Sequence, residues 1–429
     1  IAKVIPLSFL SLKISSTLGG VLLIITAFYF TLELLKDTRM AYFVSFLSAI
    51  SFWSLSFSRQ AKPHIFVAFF ALSALLFSLR KKDGLAGFFI GLGMYTQASF
   101  FGVPLLFLLL RKIKSLLIAA MISLPLVFSF LLTKEDPMNA SFFIEKLTVH
   151  SGGSSTLYVI QRILDNILRN IGSFFWVGDK GFRHTISGLP HLDVISGFFL
   201  LAGLAFTIKE SITRKRSSIV AYFLLPFFVL QLPSILDIAN RLSTPNMGRM
   251  IAVMPFAYIG STYGFIKLWR IFQKKPMMKI VLLDLWILAV VLNLYLFFFV
   301  YPQQLPNRNI AFGETIAEKI DSYDKNYEII VNGCCWGQWG QPEPNGIRFR
   351  LENKRDVHFF AADQTRDEIS CELLQSQFRN KKVAVFVDPT ERELLREVQS
   401  CLANGSFYTV RKSGLEIVRV IEGKVYSPL

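Results

Sequence analysis

Three short polar clusters stand at the ends of apolar runs, and their residue types suit the holding of an anionic phosphate at the lipid head-group boundary. The first is Ser58-Arg59-Gln60-Ala61-Lys62-Pro63-His64, a tight turn with two cations and a histidine. The second is Gly178-Asp179-Lys180-Gly181-Phe182-Arg183-His184, which continues into Gly188-Leu189-Pro190-His191-Leu192-Asp193. The third is Thr244-Pro245-Asn246-Met247-Gly248-Arg249-Met250, preceded by Arg241, with Arg249 directly before an apolar run. Guanidinium and ammonium groups make charge-assisted contacts to phosphate oxygens, the guanidinium through a planar fork. Each cluster has a plainer competitor. The cations of the first also read as snorkelling side chains, the second as a structured surface loop, and Arg249 as a helix-end anchor. Asp179, His184, His191 and Asp193 lack the spacing of a tight metal site, so no metal or other cofactor is expected.

The chain that must position these clusters has 429 residues, 52% of them hydrophobic and 18% charged, with 42 Phe and a mean hydropathy of +0.46. That composition excludes an ordinary water-soluble domain, a disordered chain and a small disulfide scaffold. A crossing helix takes roughly 20 apolar residues, fewer when short or half-buried. Ten runs qualify, at 16–35, 41–57, 64–79, 84–97, 99–110, 115–133, 194–208, 218–235, 250–266 and 281–300, the fourth and fifth short enough to form one bent hairpin. Alternating their connections gathers seventeen Lys and Arg on one side, among them Lys36, Arg80, Lys112, Arg214 and Lys275, in short basic loops. The positive-inside rule makes that side the cytoplasm. Residues 1–15, the turn 58–63, the segment 134–193, the loop 237–249 and everything after 302 then face outward.

Charge divides the chain in the same place. Residues 1–302 carry 29 Lys and Arg against 12 Asp and Glu, whereas residues 303–429 carry 17 against 18. The basicity belongs to the membrane part, where it meets anionic lipid, so nucleic acid is set aside as a partner. From residue 303 helical and strand patterns alternate: helices near 311–322, 345–352, 366–378 and 391–402, strands near 328–332, 357–361 and 382–387, and a closing hairpin around Ser413-Gly414. The expected architecture is an α-helical polytopic membrane protein of about ten spans in the plasma membrane, with a transmembrane domain 1–302, an outward loop 134–193 and an extracytoplasmic α/β domain 303–429. No Gly-rich phosphate loop follows any strand. Gly333, Trp336, Gly337, Trp339 and Gly340 are expected to fold over a strand end, in a covering or acceptor-contacting role. Cys334, Cys335, Cys371 and Cys401 all lie in this domain. An outward position permits disulfides, with three complete pairings open; adjacent cysteines bridge only with strain, and free thiols remain an alternative.

In this order, the segments SFSRQAKPHIFVAFFALSALLF, GLAGFFIGLGMYTQASFFGVPLLFLLL, WVGDKGFRHTISGLPHLDVISGFFLLAGL and TPNMGRMIAVMPFAYIG resemble membrane glycosyltransferases of the GT-C superfamily. The likeness is to the protein mannosyltransferase and aminoarabinose transferase type, and runs from about Leu10 to the end. It implies inverting transfer of a monosaccharide from a polyprenyl-phosphate-linked donor to an extracytoplasmic acceptor, which is a lipid, a glycan or a protein. Donor, acceptor and membrane lipids are the partners it implies. Arg59, Lys62, Arg183 and Arg249 become candidate donor-phosphate contacts, and His64 and His184 candidate substrate contacts. The family's catalytic carboxylate lies in the first outward loop, and the run 16–35 resembles the family's second span. The resemblance therefore implies a base upstream of Ile1, with Asp179 as the fallback within the chain. His64 stands where the family often has an acidic residue, which leaves its role open. A lipid-linked sugar transporter or flippase is the competing class, and a glycan polymerase or ligase the third. No internal repeat of the kind common in transporters is evident.

Overall fold

The computed structural model describes residues 9–133, 156–181, 184–214, 217–238, 244–338, 341–351, 355–360 and 369–426. It divides into a helical unit, Phe9–Pro302, and a second unit from Gln303 onward.

In the helical unit the apolar runs are helices: α1 Phe9–Leu35, α2 Thr38–Ile50, α3 Phe52–Arg59, α4 His64–Leu79, α5 Asp83–Gly93, α6 Gly102–Leu109, α7 Ile113–Thr133, α8 Thr156–Gly172 and α9 Val194–Arg214, then α10 Met254–Ile271 and α11 Pro276–Tyr295. Between α9 and α10 the run from 217 to 235 is helical in pieces, with a π-helical turn at Val220–Leu224. Among the described residues, four stretches are long and apolar enough to cross a membrane: Lys13–Leu35, Val194–Thr213, Ile251–Ile271 and Pro276–Gln304. The pair α2 and α3 makes a fifth if counted as one broken span, and four other apolar helices, together with the stretch Ile113–Ser129 of α7, have 10–17 residues. Among the described residues, length and composition thus license four or five of the ten runs as crossings.

The run 41–57, expected as one span, bends by 54° where α2 meets α3. Side chains inserted into the backbone ladder are the cause. Ser51 is extended at φ −61°, ψ 137°. The Phe52 N–H donates to Asn293 Oδ1 at 2.8 Å, and the Tyr258 hydroxyl donates to Ser51 Oγ at 2.7 Å. The bend redirects α3, and with it Arg59. Elsewhere α9 and α10 cross with their backbones almost touching. A Cβ on Gly203 would strike the Gly260 carbonyl, and one on Gly264 the Phe199 carbonyl, the small-residue contact that lets helices pack closely in lipid.

The second unit holds a five-stranded sheet ordered β2-β1-β3-β5-β4, from β1 Tyr327–Asn332, β2 Val357–Phe360, β3 Lys382–Val387, β4 Leu402–Lys412 and β5 Leu415–Val425. β1 runs parallel to β2 and β3, while β5 is antiparallel to β3 and β4. Helices cover both faces, so central strands are apolar on both sides. One face packs Ile329, Val331, Ala384, Phe386, Val418 and Val420 under α12 Phe312–Asp321 and α13 Pro344–Leu351. The other packs Ile330, Val383, Val385, Val387 and Ile421 under α14 Cys371–Gln377 and α15 Arg392–Ser400. The cysteines are bridged as Cys334–Cys335 and Cys371–Cys401, which replaces the free-thiol alternative. After β1 the Trp336 indole N–H donates to the Ile417 carbonyl at 2.9 Å and Gly337 N–H to Gln341 O at 2.7 Å, a folded loop as its composition suggested. Trp339 and Gly340 lie outside the described residues.

Candidate functional site

The three polar clusters meet where α3 ends and α4 begins. The phenyl ring of Phe57, close to the end of α3, stacks on both histidines, with ring centroids 5.5 Å from His64 and 5.1 Å from His184; the two imidazoles are 5.4 Å apart. His184 is oriented twice: Ser56 Oγ donates to its carbonyl at 2.6 Å, and its Nδ1 lies 2.8 Å from Gln60 Oε1. The first and second clusters are thereby one surface. The third joins through Gly248, where an added Cβ would come within 3.2 Å of His64 Cδ2 and 3.4 Å of its Nε2. A larger residue there would press on the imidazole. His64 Nδ1 is buried and has no hydrogen-bond partner among the described residues.

Arg59 points its guanidinium over the rings of Tyr301, 5.2 Å away, and Phe297, 5.8 Å away, a cation–π arrangement that holds the charge without neutralising it. Lys62 is exposed at the turn, its carbonyl accepting from Ser16 Oγ at 3.2 Å. Arg183 and Arg241 lie outside the described residues.

Asp179 is 4% exposed and works as a clasp. One oxygen accepts the Gly181 N–H at 2.7 Å and the other the Met247 N–H at 2.9 Å, sewing the second cluster to the third. Burial pushes its pKa up, opposed by those two N–H groups and by the nearby Arg249 charge. Arg249 forms an ion pair with Asp237, whose side chain is 1% exposed. Burial lowers the Arg249 pKa and the Asp179 charge works against that shift. Asn166 of α8 fixes the backbone presenting Asp237, donating to the carbonyls of Ile235 at 2.8 Å and Asp237 at 3.1 Å.

The helix α8 is inverted relative to a soluble helix. Arg162, Asn166 and Asn170, at a spacing of four, are buried, while Leu157, Ile160, Leu164 and Leu168 on other sides are exposed. An apolar outer stripe of this kind suits a helix lying in the membrane interface.

The other polar residues of the second cluster have separate duties. His191 is buried against Trp53, ring centroids 4.9 Å apart, with Nδ1 3.1 Å from Ser173 Oγ. Burial lowers its pKa to about 3, which keeps it neutral. Asp193 accepts the Ser196 N–H at 2.8 Å at the start of α9 and Asn293 Nδ2 at 2.7 Å. Among the described residues no group of three His, Cys, Asp or Glu is placed to hold a metal.

The sequence left two features undetected. Asp237, in the loop 237–249, is the Arg249 counter-ion twelve residues away, a spacing with no periodic signature. Gln60 and Ser56 orient His184 across 124 and 128 residues of chain, and nothing local marks them.

No protein-family model matches the chain, and no curated protein does. Among solved structures it is similar to ArnT from Cupriavidus metallidurans in the apo state, with a TM-score of 0.55 and 13% identity, covering 96% of this chain and 83% of that one. The likeness supports a GT-C-like fold.

Proposed function

We propose that the chain is an inverting membrane glycosyltransferase that moves a monosaccharide from a polyprenyl-phosphate-linked donor to an extracytoplasmic acceptor. What carries the reading is a cluster of cations and histidines at the helix ends of a chain whose fold is similar to ArnT over 96% of its length. ArnT is a GT-C aminoarabinose transferase, and the four sequence segments resemble that type.

Chemistry follows from the side chains. As the sugar leaves, negative charge grows on the departing phosphate, and preorganised cations stabilise it. Arg249 has five donors, so a guanidinium engaged by Asp237 keeps N–H groups for a phosphate oxygen, and Asp237 holds it in place. Arg59, Lys62 and Arg183 are assigned the same anion, and His64 and His184 the sugar. Asp179 is assigned a structural duty, because both its oxygens hold backbone N–H groups. The reading uses these cations and no cofactor, with the enzyme in the plasma membrane and the C-terminal domain outside.

The test is transfer from a radiolabelled polyprenyl-phosphate sugar in membranes carrying the protein, with product anomers assigned by NMR. Inverted product, lost in Arg249→Gln, is expected. Product of retained configuration would refute the mechanism, and donor crossing the bilayer with no product would give the chain to the transporters.

A further inference from the structure

A second cationic site lies wholly within the C-terminal unit. Arg392, Leu395, Arg396 and Gln399 line one side of a cavity of about 320 Å³, and Phe407, Arg419 and Ile421 line the other. The four helix residues are spaced i, i+3, i+4 and i+7 and so share one face of α15. Across the hairpin, Phe407 pairs with Ile421 and Thr409 with Arg419, which puts Phe407 and Arg419 on the same sheet face. Leu395 and Ile421 are buried and form an apolar floor.

Three guanidiniums around one cavity are far from the average of this domain, whose 17 Lys and Arg are outnumbered by 18 Asp and Glu. They are also poorly neutralised. The Arg419 Nε is buried with no hydrogen-bond partner among the described residues, and another nitrogen of that guanidinium is 3.8 Å from Glu416. Glu416 is itself engaged by Arg411 at 2.6 Å and also faces Arg392, so one carboxylate is shared among three guanidiniums. Arg392 and Arg396 are exposed, and Phe407 presents 60% of its surface.

We infer that this cavity binds a phosphate monoester carried on a sugar ring. Three forks match the three terminal oxygens of a phosphomonoester, whereas a carboxylate occupies one fork bidentately. The exposed Phe407 ring and apolar floor supply a flat surface for the less polar face of a pyranose. The cavity volume, at the small end for small-molecule sites, suits one such unit. The inference rests on these side chains and not on the transferase reading, so either fails without the other.

The test is calorimetric titration of the full chain, in nanodiscs of neutral lipid, with a hexose 6-phosphate, the free hexose and inorganic phosphate. The hexose phosphate is expected to bind at least tenfold more tightly than either fragment. Arg392→Gln/Arg396→Gln, both exposed positions that leave the core untouched, should weaken it at least tenfold, as losing charge-assisted contacts requires. Phe407→Ala should remove the preference over inorganic phosphate. Arg419→Gln is the second probe and should also weaken binding. Absence of hexose phosphate binding, or equal affinity in the double variant and the parent, would overturn the site. Loss of binding in nanodiscs containing phosphatidylglycerol would overturn it too, by giving the cavity to the membrane.

Discussion

Substitution of Arg249 has two separable consequences, because its partner Asp237 is buried. Arg249→Gln leaves a carboxylate that is 1% exposed without its guanidinium. Breaking a buried pair on one side costs about 3–5 kcal/mol, and since the Arg249 side chain keeps 22% exposure the lower end, about 3 kcal/mol, applies. If Arg249 also binds the leaving phosphate, transfer falls by a further 1.5–3 kcal/mol or so, roughly ten- to over a hundredfold in kcat/KM. Arg249→Gln/Asp237→Asn separates the two. With both charges gone and two amides able to hydrogen-bond, stability should return to within about 1 kcal/mol of the parent, while the loss of transfer persists. Unfolding is followed by denaturant titration in micelles, and transfer is normalised to folded protein. A double variant that regains parental transfer would make Arg249 a structural partner only. A single variant as stable as the parent would contradict the burial of the pair.

Three further outcomes are expected. Asp179 has a folded-state pKa above its ordinary value, so the folded state binds the proton more tightly and the stability this group contributes falls as pH rises from about 3.9 through the raised value. Against Asp179→Asn, which does not titrate, the parent should lose ground across that window in thermal unfolding measured at stepped pH, and parallel curves would place the carboxyl in solvent. Gly264→Leu should destabilise the helical unit by about 1–3 kcal/mol or more through overpacking against the Phe199 backbone, read by denaturant titration; an unchanged midpoint would separate α9 from α10. Cysteines introduced at 80–83 and 209–217, with the native cysteines replaced, should be shielded from an impermeant thiol reagent in intact cells, and labelling of both loops would invert the orientation.

Much of the C-terminal sheet was legible in advance. The alternation of strand and helix patterns, the continuous apolar run at 383–387 and the Ser413-Gly414 turn are local, and they match β3 and the β4–β5 hairpin. The apolar runs of the first 302 residues likewise announced helices, since hydrophobic length is a one-dimensional property. The sequence also pointed to the three polar clusters, because charge at the end of an apolar run stands out. What it did not contain was the break at Ser51, which depends on Asn293 and Tyr258, more than two hundred residues away. Nor did it contain the partners that sort the clusters into duties. Asp179, the fallback base of the resemblance, holds the Met247 N–H on a buried oxygen, and Arg249, a candidate phosphate contact, pairs with Asp237, whose backbone carbonyl Asn166 holds. Residue type and spacing decide which groups are charged or apolar, whereas desolvation and hydrogen bonding depend on which distant backbone comes to rest beside them, and only the tertiary structure decides that.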